Sequence, residues 1–373
     1  MNAEYILRTC LVMSCLLWFQ SDGFLLARYR VCKTQSAKRF QPLAEKDLFD
    51  DNSVLQITLK GKVRELLNDR TEAPKSYPFI LSYNLPEEGL VEIPVEVRTR
   101  GHFRRLKENC NLPPLMIQFP KKGIHSTTMF RQQAKLKLVM PCRGDNYVVR
   151  EWLVYKIYNL VTPRSFRARL VKVQLDDLRS NKPAAPVYGI LLEEEKQMAQ
   201  RNHCVPVEKK LKPQETQLDA FLTMAVFQYL VGNTDWSVQY QQNIKLIAKD
   251  SNALPFPVAY DFDHAGMVNS PYALPAEELK MTSVRQRRFR GFCVQNQQLF
   301  EPVLAHFNKM KKDIYSLYSN CGLLDVKQIK FSTQYLDEFY KTINNPKDWK
   351  KEFAYPCDPK GTGNVVIKGL QTN

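Results

Sequence analysis

Three short segments near the middle of the chain carry residues that could bind a metal ion and activate a hydroxyl group. The first is Gly232-Asn233-Thr234-Asp235-Trp236, the second opens with Asn243, and the third reads Asp261-Phe262-Asp263. Phosphoryl transfer needs one carboxylate that orients or deprotonates the acceptor hydroxyl, and an amide and a second carboxylate that hold Mg²⁺ against the phosphates. The candidates are Asp235 as the catalytic residue and Asn243, Asp261 and Asp263 as metal ligands.

Each segment also has a structural interpretation. Gly-Asn-Thr-Asp is good turn chemistry, and an Asp that follows a strand can cap a helix. The combination favours function, because unrelated turns would rarely reproduce a helix, a turn with Asp, a strand that opens on Asn and a strand that ends in Asp.

The elements that position these segments can be predicted from hydrophobic spacing. The stretch Gln214–Leu230 has an apolar stripe with helical spacing, which predicts a buried amphipathic helix. Strands are predicted at Asn243–Ala248 and Phe256–Tyr260, and Gln297–Tyr340 is predicted to be mostly helical.

The first half of the chain alternates apolar and polar residues with a period close to two. One helix is predicted from Asp145 or Asn146 to about Leu160. The predicted strands are Ser53–Leu59, Tyr77–Tyr83, Leu90–Thr99, Leu115–Phe119, Lys135–Met140, Ala168–Leu175 and Val187–Leu192. A β-rich part followed by an α-rich part predicts two lobes, 53–195 and 196–373, with a cleft between them.

A nucleotide in that cleft would need cations for its phosphates. Lys135 and Lys137 are two positions apart on a predicted strand and share a face, so either could reach the phosphates, with Glu151 as ion-pair partner. A tight turn at Gly101 with cations on both sides could cover the phosphates. Those cations are Arg98, Arg100, Arg104 and Arg105. Solvated strand lysines and an ordinary basic hairpin are the alternatives.

The chain has 373 residues, a formal net charge of +16 and 44% hydrophobic residues, which is typical of a globular protein. The positive charge suits phosphates, an acidic polymer or an anionic membrane surface without choosing among them. Arginines at 285, 287, 288 and 290 indicate an acidic substrate or a solvated charge run. The sequence lacks the G-x-G-x-x-G, Walker A and G-x-S-x-G motifs, and its histidines lack metal-ligand spacing. Nucleic-acid binding would depend on charge alone.

The N-terminus favours export. Residues 9–19 form an apolar run that is typical of a signal peptide, so 1–23 is predicted to be a signal peptide and 24–52 a linker. A short uncleaved anchor or a buried helix is the alternative, and no transmembrane span is predicted. The expected location is periplasmic, cell-surface or secreted. Seven of the nine cysteines follow the leader, so some could pair and at least one would not.

The stretch 232–266 resembles the CotH family of spore-coat kinases and, more remotely, the HipA-type kinases. The family pattern is an Asn-x-Asp loop, a downstream Asn that opens a strand, and a Tyr/Trp-Asp-x-Asp…Gly segment. Residues 97–104 are similar to the family's Arg-Gly-Asn-x-Ser-Arg turn, and 187–193 to its hinge strand, which ends at Glu193. The resemblance covers roughly residues 54–300, and the chain looks more closely similar to exported bacterial proteins that share the GNTDW and YDFDHAG blocks.

The resemblance implies an α+β, two-lobed protein-kinase-like fold with a β-rich N-lobe and a mainly α-helical C-lobe. It implies ATP and Mg²⁺ as cofactors and phosphoryl transfer to an extracytoplasmic acceptor, with a protein hydroxyl as the expected group. The residues carried over are catalytic Asp235, the metal ligands Asn243, Asp261 and Asp263, and nucleotide-binding Lys135, Lys137, Glu151, Arg98, Arg100, Gly101 and Glu193. An unknown protein or acidic substrate would be the partner.

Two departures from the pattern keep alternatives open. Asp235 and Asn243 are eight positions apart, whereas kinases place this pair about five apart. The residues between them must therefore bulge, and Gln241 or Gln242 could take part instead. The nucleotide lysine is also ambiguous. The rival functions are a kinase-fold surface protein that binds a nucleotide or an anionic partner without turnover, and a basic module for an anionic polymer.

Overall fold

Seven strands of the first half of the chain close into a barrel. The computed structural model describes residues 47–85, 89–121, 124–180, 182–355 and 357. The strands are β1 (Leu55–Gly61), β2 (Tyr77–Leu85), β3 (Gly89–Thr99), β4 (Leu115–Gln118), β5 (Lys135–Val139), β6 (Ala168–Asp177) and β7 (Val187–Leu192). Their order is β1-β2-β3-β4-β5-β7-β6, and β6 pairs with β1 in parallel, from Leu55 opposite Val171 to Gly61 opposite Asp177.

Alternation of apolar and polar side chains fills the barrel. In β1 the buried positions are Leu55, Ile57, Leu59 and Gly61, and the residues between them face outward. Because successive side chains on a strand point to opposite faces, one face of every strand contributes to a common interior. Leu81, Ile117 and the other inward residues form a hydrophobic core that belongs to the barrel.

The predicted fold class, a two-lobed protein-kinase-like fold with a β-rich N-lobe, is wrong. The strands lie close to their predicted positions, but β1 and β6 pair and close the sheet into a barrel. Alternation shows which face of a strand is buried and does not show which strand is its neighbour. The closing pair joins strands more than a hundred residues apart, which no local pattern reports.

Outside the barrel strands, the described residues form seven helices and a small sheet. The helices are α1 (Val63–Asn68), α2 (Asp145–Val161), α3 (Glu195–Arg201), α4 (Leu218–Val231), α5 (Glu301–Ser319), α6 (Val326–Ile343) and α7 (Pro346–Glu352). The sheet has the order β10-β9-β8, with β8 at Val205–Pro206, β9 at Ile244–Ala248 and β10 at Phe256–Ala259. Helix α1 packs on the barrel, and the other helices form a helical part with the sheet. The second large core gathers side chains from α2, α4, α5, α6 and this sheet.

The helix before the first candidate segment is buried, as predicted, and its second half is buried on every side. The predicted amphipathic helix is α4, but all residues from Met224 to Val231 are buried, including Gln228. The helix therefore crosses the core instead of lying on its surface. In the part of the chain that the structure describes, no helix combines the length and the apolar character needed to cross a membrane.

The described residues belong to one compact unit. The predicted signal peptide and residues 24–46 of the predicted linker lie outside the described residues. The predicted boundary near residue 195, between the parts 53–195 and 196–373, stays a prediction.

Candidate active site

Asn243 and Asp261 flank the two strands of the β9–β10 hairpin at the same end. Ile244 stands opposite Ala259 in the register, and the Tyr260 N–H donates to the Asn243 carbonyl at 3.1 Å. Both residues have left-handed backbone conformations, with φ of 50° at Asn243 and 62° at Asp261. Asn and Asp tolerate this region better than other non-glycine residues, and such conformations cluster at functional sites. The hairpin therefore brings an amide and a carboxylate side by side.

The turn after α4 holds Asp235 against Asn243. The Asn243 Nδ2 donates to the Asp235 carbonyl oxygen at 2.8 Å and to its carboxylate Oδ2 at 2.9 Å. The Asn233 Oδ1 accepts from the Asp235 N–H at 3.1 Å, which closes a local turn. Because both donor contacts use the Asn243 nitrogen, its amide oxygen points away from Asp235.

The intervening residues absorb the long spacing between Asp235 and Asn243. Ser237 and Gln242 form an isolated bridge, in which each N–H donates to the other's carbonyl, at 2.9 and 3.0 Å. The predicted bulge is thus a small closed loop. Gln241 turns elsewhere, since its side-chain nitrogen donates to the Lys209 carbonyl at 2.9 Å.

Two glycines allow the segments 232–236 and 261–266 to meet. The Gly266 N–H donates to the Gly232 carbonyl at 3.1 Å, and Gly232 has φ of 68°. A Cβ added at Gly232 would lie 2.0 Å from the Tyr335 hydroxyl oxygen, and one at Gly266 would lie 2.6 Å from it. Larger side chains at these positions would push the two segments and α6 apart.

One arginine connects three carboxylates. Arg104 lies in the turn between β3 and β4, and its side chain is 10% exposed. Its Nη1 is 3.8 Å from Glu151 Oε2, its Nη2 is 3.2 Å from Asp261 Oδ1, and its Nε is 3.4 Å from Asp263 Oδ2. Burial favours the neutral form, but the neighbouring carboxylates, Asp263 foremost, raise the pKa of Arg104 well above its usual range.

Helix α2 contacts this cluster through two residues. It carries Glu151, and one turn later Tyr155, whose hydroxyl oxygen accepts from the Asp261 N–H at 2.9 Å. Residues four apart share a helix face, so one face of α2 contacts both Arg104 and the backbone of Asp261.

Burial and like charges set the proton affinities of the carboxyl groups. Burial, with Asp263 and Asp261 nearby, raises the pKa of Glu151 to about 8. Burial and the same two carboxylates also raise the pKa of Asp235, although His264 and Arg290 act to lower it. Asp263 is also buried, but Arg104, His264 and the Tyr272 hydroxyl lower its pKa. Carboxyl groups whose pKa values are pushed apart are suited to different acid and base roles.

The two candidate lysines differ in their surroundings. Lys137 Nζ lies 4.8 Å from the centre of the Tyr260 ring, next to the hairpin end, and burial lowers its pKa to about 8, with Arg100 adding to the effect. Lys135 is 56% exposed and pairs with Glu194 at 3.3 Å. The ion-pair partner of Glu151 is Arg104 instead of either lysine.

The remaining predicted nucleotide-binding residues are divided between the cluster and other contacts. Arg100 is half-buried; burial lowers its pKa and the nearby Asp261 opposes this. Gly101 supplies the left-handed residue of the turn, with φ of 88°. Arg98 Nη1 donates to the Thr99 carbonyl at 3.5 Å. Glu193 pairs with Arg201 at 2.9 Å and accepts from the Arg167 N–H at 2.8 Å, so its contacts are structural.

The arginine run after Asp263 contributes to packing and positioning. Arg285 lies over the Phe331 ring at 3.7 Å and Arg287 lies over the Tyr335 ring at 3.5 Å. The two aromatic residues belong to α6. Arg290 is buried and donates to the Thr234 carbonyl at 2.7 Å and to the Trp236 carbonyl. It therefore supports the turn that carries Asp235, and of the four arginines only Arg288 is exposed.

Sequence reasoning missed how several residues are used. Arg104 was one of a group of arginines, and no local signal shows that it joins three carboxylates. Phe103, His264 and Tyr272 form a cluster of rings with centroids 5.7 to 6.3 Å apart. This cluster joins the turn at Gly101 to the segment after Asp263, and the packing of distant segments creates it.

The cluster offers few candidate ligands for a divalent cation. Across the described ranges, no group of three or more His, Cys, Asp or Glu side chains could hold a metal ion. Asp261, 37% exposed, and the Asn243 amide oxygen supply two hard oxygen ligands at the hairpin end. Mg²⁺ commonly takes one or two carboxylates and completes its shell with waters and phosphate oxygens.

Two cavities in the described part of the chain lie away from this cluster. One of about 180 Å³ is lined by Tyr158, Thr162, Arg164, Asp219 and His306, among others. Another of about 660 Å³ lies along β1 to β4 and includes Pro78, Ile80, Pro94 and Leu178. The candidate site is instead a cluster of buried and half-buried charged groups.

Comparisons with known proteins place the chain only distantly. No family model matches it, and no curated protein matches its sequence, so the resemblance to the CotH family gains no support from them. Among solved structures, the Helicobacter pylori proinflammatory kinase CtkA matches with a TM-score of 0.39 and 12% identity, covering 67% of this chain and 94% of that chain. The chain thus has a distant structural likeness to a kinase, and a score this low assigns neither fold nor function.

Proposed function

We propose that the cluster at the end of the β9–β10 hairpin is the active site of a phosphotransferase that uses Mg-ATP and a hydroxyl acceptor. The observation that carries this proposal is the arrangement of Asp235, Asn243 and Asp261. The Asn243 amide donates to Asp235, the carboxylate assigned to the acceptor. Asn243 also lies at the end of the hairpin that carries Asp261, the carboxylate assigned to the metal ion. Phosphoryl transfer depends on this kind of positioning more than on covalent chemistry by the protein.

Asp235 is assigned to the acceptor hydroxyl. The Asn243 amide fixes its Oδ2, which leaves Oδ1 to accept the hydroxyl proton. The raised pKa of Asp235 makes the carboxylate a stronger base than an exposed one, which favours proton acceptance near neutral pH. Arg290 holds the carbonyls on either side of Asp235 and so fixes the approach of the acceptor.

Asp261 and the Asn243 amide oxygen are assigned to the metal ion. Asp263 is assigned a supporting role, because it pairs with Arg104, which also pairs with Asp261. When bound, Mg²⁺ would supply positive charge that offsets the negative charge of the phosphates. Lys137 and Arg100, half-buried beside Asp261, are assigned to the phosphates. The nucleotide roles of Lys135, Arg98, Gly101 and Glu193 stay predictions.

The proposed acceptor is a protein hydroxyl outside the cytoplasm. Two disulfides, Cys110–Cys142 and Cys293–Cys357, support an oxidising compartment, as does the apolar N-terminal run.

Nucleotide binding without transfer is the second candidate function. It is favoured by Arg104, whose guanidinium already contacts Asp261 Oδ1 at 3.2 Å and so occupies one oxygen that a metal would use.

Paired variants separate these functions. Asp261→Asn removes the negative charge that would hold Mg²⁺, so nucleotide affinity is expected to fall. Asp235→Asn leaves the metal ligands in place, so Mg-ATP is expected to bind while transfer falls by about 10²–10⁴-fold. Asp313→Asn, an exposed position on α5, is the matched control and is expected to behave as wild type.

The measurements are thermal melting with and without Mg-ATP, and ATP consumption. A ligand at about 100 times its dissociation constant stabilises the native state by about 2.7 kcal/mol. A shift for wild type and Asp235→Asn, with little for Asp261→Asn, would support the assignment. Binding by wild type without any turnover favours the second function, and no shift at millimolar Mg-ATP overturns both.

A further inference from the structure

Two arginines share one aromatic ring in a region where neither is paired with a carboxylate. Arg150 on α2 is 8% exposed, and Arg285, in the segment between β10 and α5, is half-buried. Both guanidinium groups lie over the ring of Phe331 on α6, at 5.6 Å for Arg150 and 3.7 Å for Arg285. Two positive charges therefore meet where α2, α6 and the segment before α5 come together.

Each of these arginines has a buried hydrogen-bond donor without an acceptor. The Arg150 Nε and the Arg285 Nη1 are buried and make no hydrogen bond to any described residue. Buried donors in native proteins are nearly always satisfied, and an orphaned one calls for a water or an ion at the site. Two orphaned donors on positively charged groups point to an anion.

The carboxylates of the surrounding segments do not supply this anion. Asp325 attracts Arg150, and Glu338 attracts Arg285, only at longer range. The ion pair of Glu338 is with Arg287, at 3.0 Å. Among the described residues, no ion pair joins Arg150 or Arg285 to a carboxylate. Burial lowers the pKa of both arginines, and the charges of their neighbouring arginines lower the pKa of Arg285 further.

The aromatic rings offset only part of the cost of burying these charges. Arg150 also lies over the Tyr147 ring at 4.7 Å, and Arg285 over the Tyr335 ring at 4.3 Å. A cation–π contact stabilises a charge by less than the loss of its hydration costs. An anion between the guanidinium groups would supply the missing opposite charge.

We propose that Arg150 and Arg285 form a binding site for a phosphate-type oxoanion. Such an ion has several oxygen acceptors and a negative charge, and the planar guanidinium group matches these acceptors with parallel N–H donors. Arg285 and Phe331 are half-buried, so an ion can reach the site from solvent. Free phosphate and the phosphate of a phosphorylated side chain present the same chemistry to the two arginines.

This site is separate from the candidate active site. Arg150 and Glu151 are consecutive residues of α2, and consecutive residues of a helix do not face the same partner. Glu151 contacts Arg104, whereas Arg150 lies over Phe331. A phosphate held by Arg150 would therefore leave free the place beside Lys137 that is assigned to the nucleotide.

The test titrates the full chain with inorganic phosphate by calorimetry, at an ionic strength held constant with chloride. Wild type is expected to bind phosphate. Arg285→Met and Arg150→Met are expected to weaken that binding by about 10-fold or more, because each removes hydrogen bonds to a charged group.

Two control variants locate the bound phosphate. Arg288→Met makes the same substitution at an exposed arginine of the same run and should bind phosphate as wild type does. Lys137→Met changes the candidate active site and should also keep the phosphate affinity.

No binding by wild type at millimolar phosphate would overturn the inference. Unchanged affinity in folded Arg285→Met and Arg150→Met proteins, or loss of binding in Lys137→Met, would overturn it as well, and the proposed phosphotransfer would still stand. If the methionine variants do not fold, Arg285→Lys keeps the charge and loses the planar fork, so its phosphate affinity should fall; an unchanged affinity there would contradict the site.

A second titration separates the two sources of phosphate, with O-phosphoserine and serine as probes. Tighter binding of O-phosphoserine than of inorganic phosphate, with no binding of serine, would identify a phosphorylated side chain as the ligand. Binding of O-phosphoserine that is no tighter would identify the free ion. Either result supports the site when Arg285→Met weakens it.

Discussion

The barrel and the segment 232–263 contribute opposite charges to the candidate site. Lys137 lies on β5, and Arg100 and Arg104 lie in the turn between β3 and β4. The carboxylates Asp235, Asp261 and Asp263 belong to the other region. Neither region alone would neutralise its own charge, so the site exists only where the two pack together.

The two regions also hold their functional residues in different ways. The barrel turn is anchored by a disulfide and by Arg70, so its cations are placed by covalent and long-range contacts. Asn243 and Asp261 are placed by the hairpin and by left-handed backbone conformations. Contacts from distant residues therefore fix the positive half of the site. Local backbone geometry shapes the negative half, which contacts from Tyr155 and Arg290 also support.

The largest effect that tests this comparison comes from the disulfides, because one of them anchors the barrel turn and the other lies outside both regions. The closed loops span 32 residues for Cys110–Cys142 and 64 for Cys293–Cys357. In the chain-entropy account, replacing either pair by alanine lowers the free energy of unfolding by about 4 kcal/mol. Only the loss of Cys110–Cys142 should also weaken binding of Mg-ATP, because only that disulfide anchors the turn with Arg104.

Urea unfolding and nucleotide titration of the two double-alanine variants check this prediction. Equal losses of nucleotide affinity in both would show that the effect is general destabilisation and that the turn at Gly101 does not depend on its anchor.

A smaller effect is expected in the other region at Gly232. Gly232→Ala adds a Cβ at 2.0 Å from the Tyr335 hydroxyl and places alanine at φ of 68°. We expect a loss of about 2–3 kcal/mol in the free energy of unfolding, from overpacking and from left-handed strain. Tyr335→Phe removes the clashing oxygen, which is buried without a hydrogen bond to any described residue, so the double variant should recover part of the loss.

The double-mutant cycle is measured by urea denaturation. Strict additivity of the two substitutions would contradict the close approach of Gly232 and Tyr335, because residues in contact are expected to couple.

The smallest effect concerns the chemistry of Lys137. Its pKa is lowered from 10.5 to about 8, so its neutral amine becomes abundant as the pH rises through 8. Acylation of Lys137 should therefore increase between pH 7 and 9 and then level off, and Mg-ATP should protect it. Lys135, exposed and paired with Glu194, is the matched control and should gain no protection.

The same shift has a consequence for stability. Between pH 8 and 10.5 the unfolded chain binds more protons at this lysine than the folded chain, so the contribution of Lys137 to the free energy of unfolding rises with pH. Lys137→Met should flatten that rise. Peptide mapping after acylation, and unfolding curves across this pH window, provide the measurements; equal protection of both lysines would contradict the placement of Lys137.

Several features follow from the sequence alone because they depend on neighbours along the chain. Alternation located the barrel strands, and apolar spacing located α4; the stretch 297–340, predicted to be mostly helical, contains α5 and most of α6. The order of Asp235, Asn243 and Asp261 around two short strands indicated that they would meet, since a hairpin brings its two ends together. These features depend on side-chain periodicity and turn chemistry, which a single segment carries.

The tertiary structure decided the features that join distant residues. The pairing of β1 with β6 made a barrel where the sequence indicated an N-lobe of another fold. The partner of Glu151 became Arg104 instead of Lys135 or Lys137, and Glu193 paired with Arg201. The physical reason is the same in each case: an ion pair or a strand pair forms with whichever complementary group the fold brings near, and periodicity carries no information about that distance.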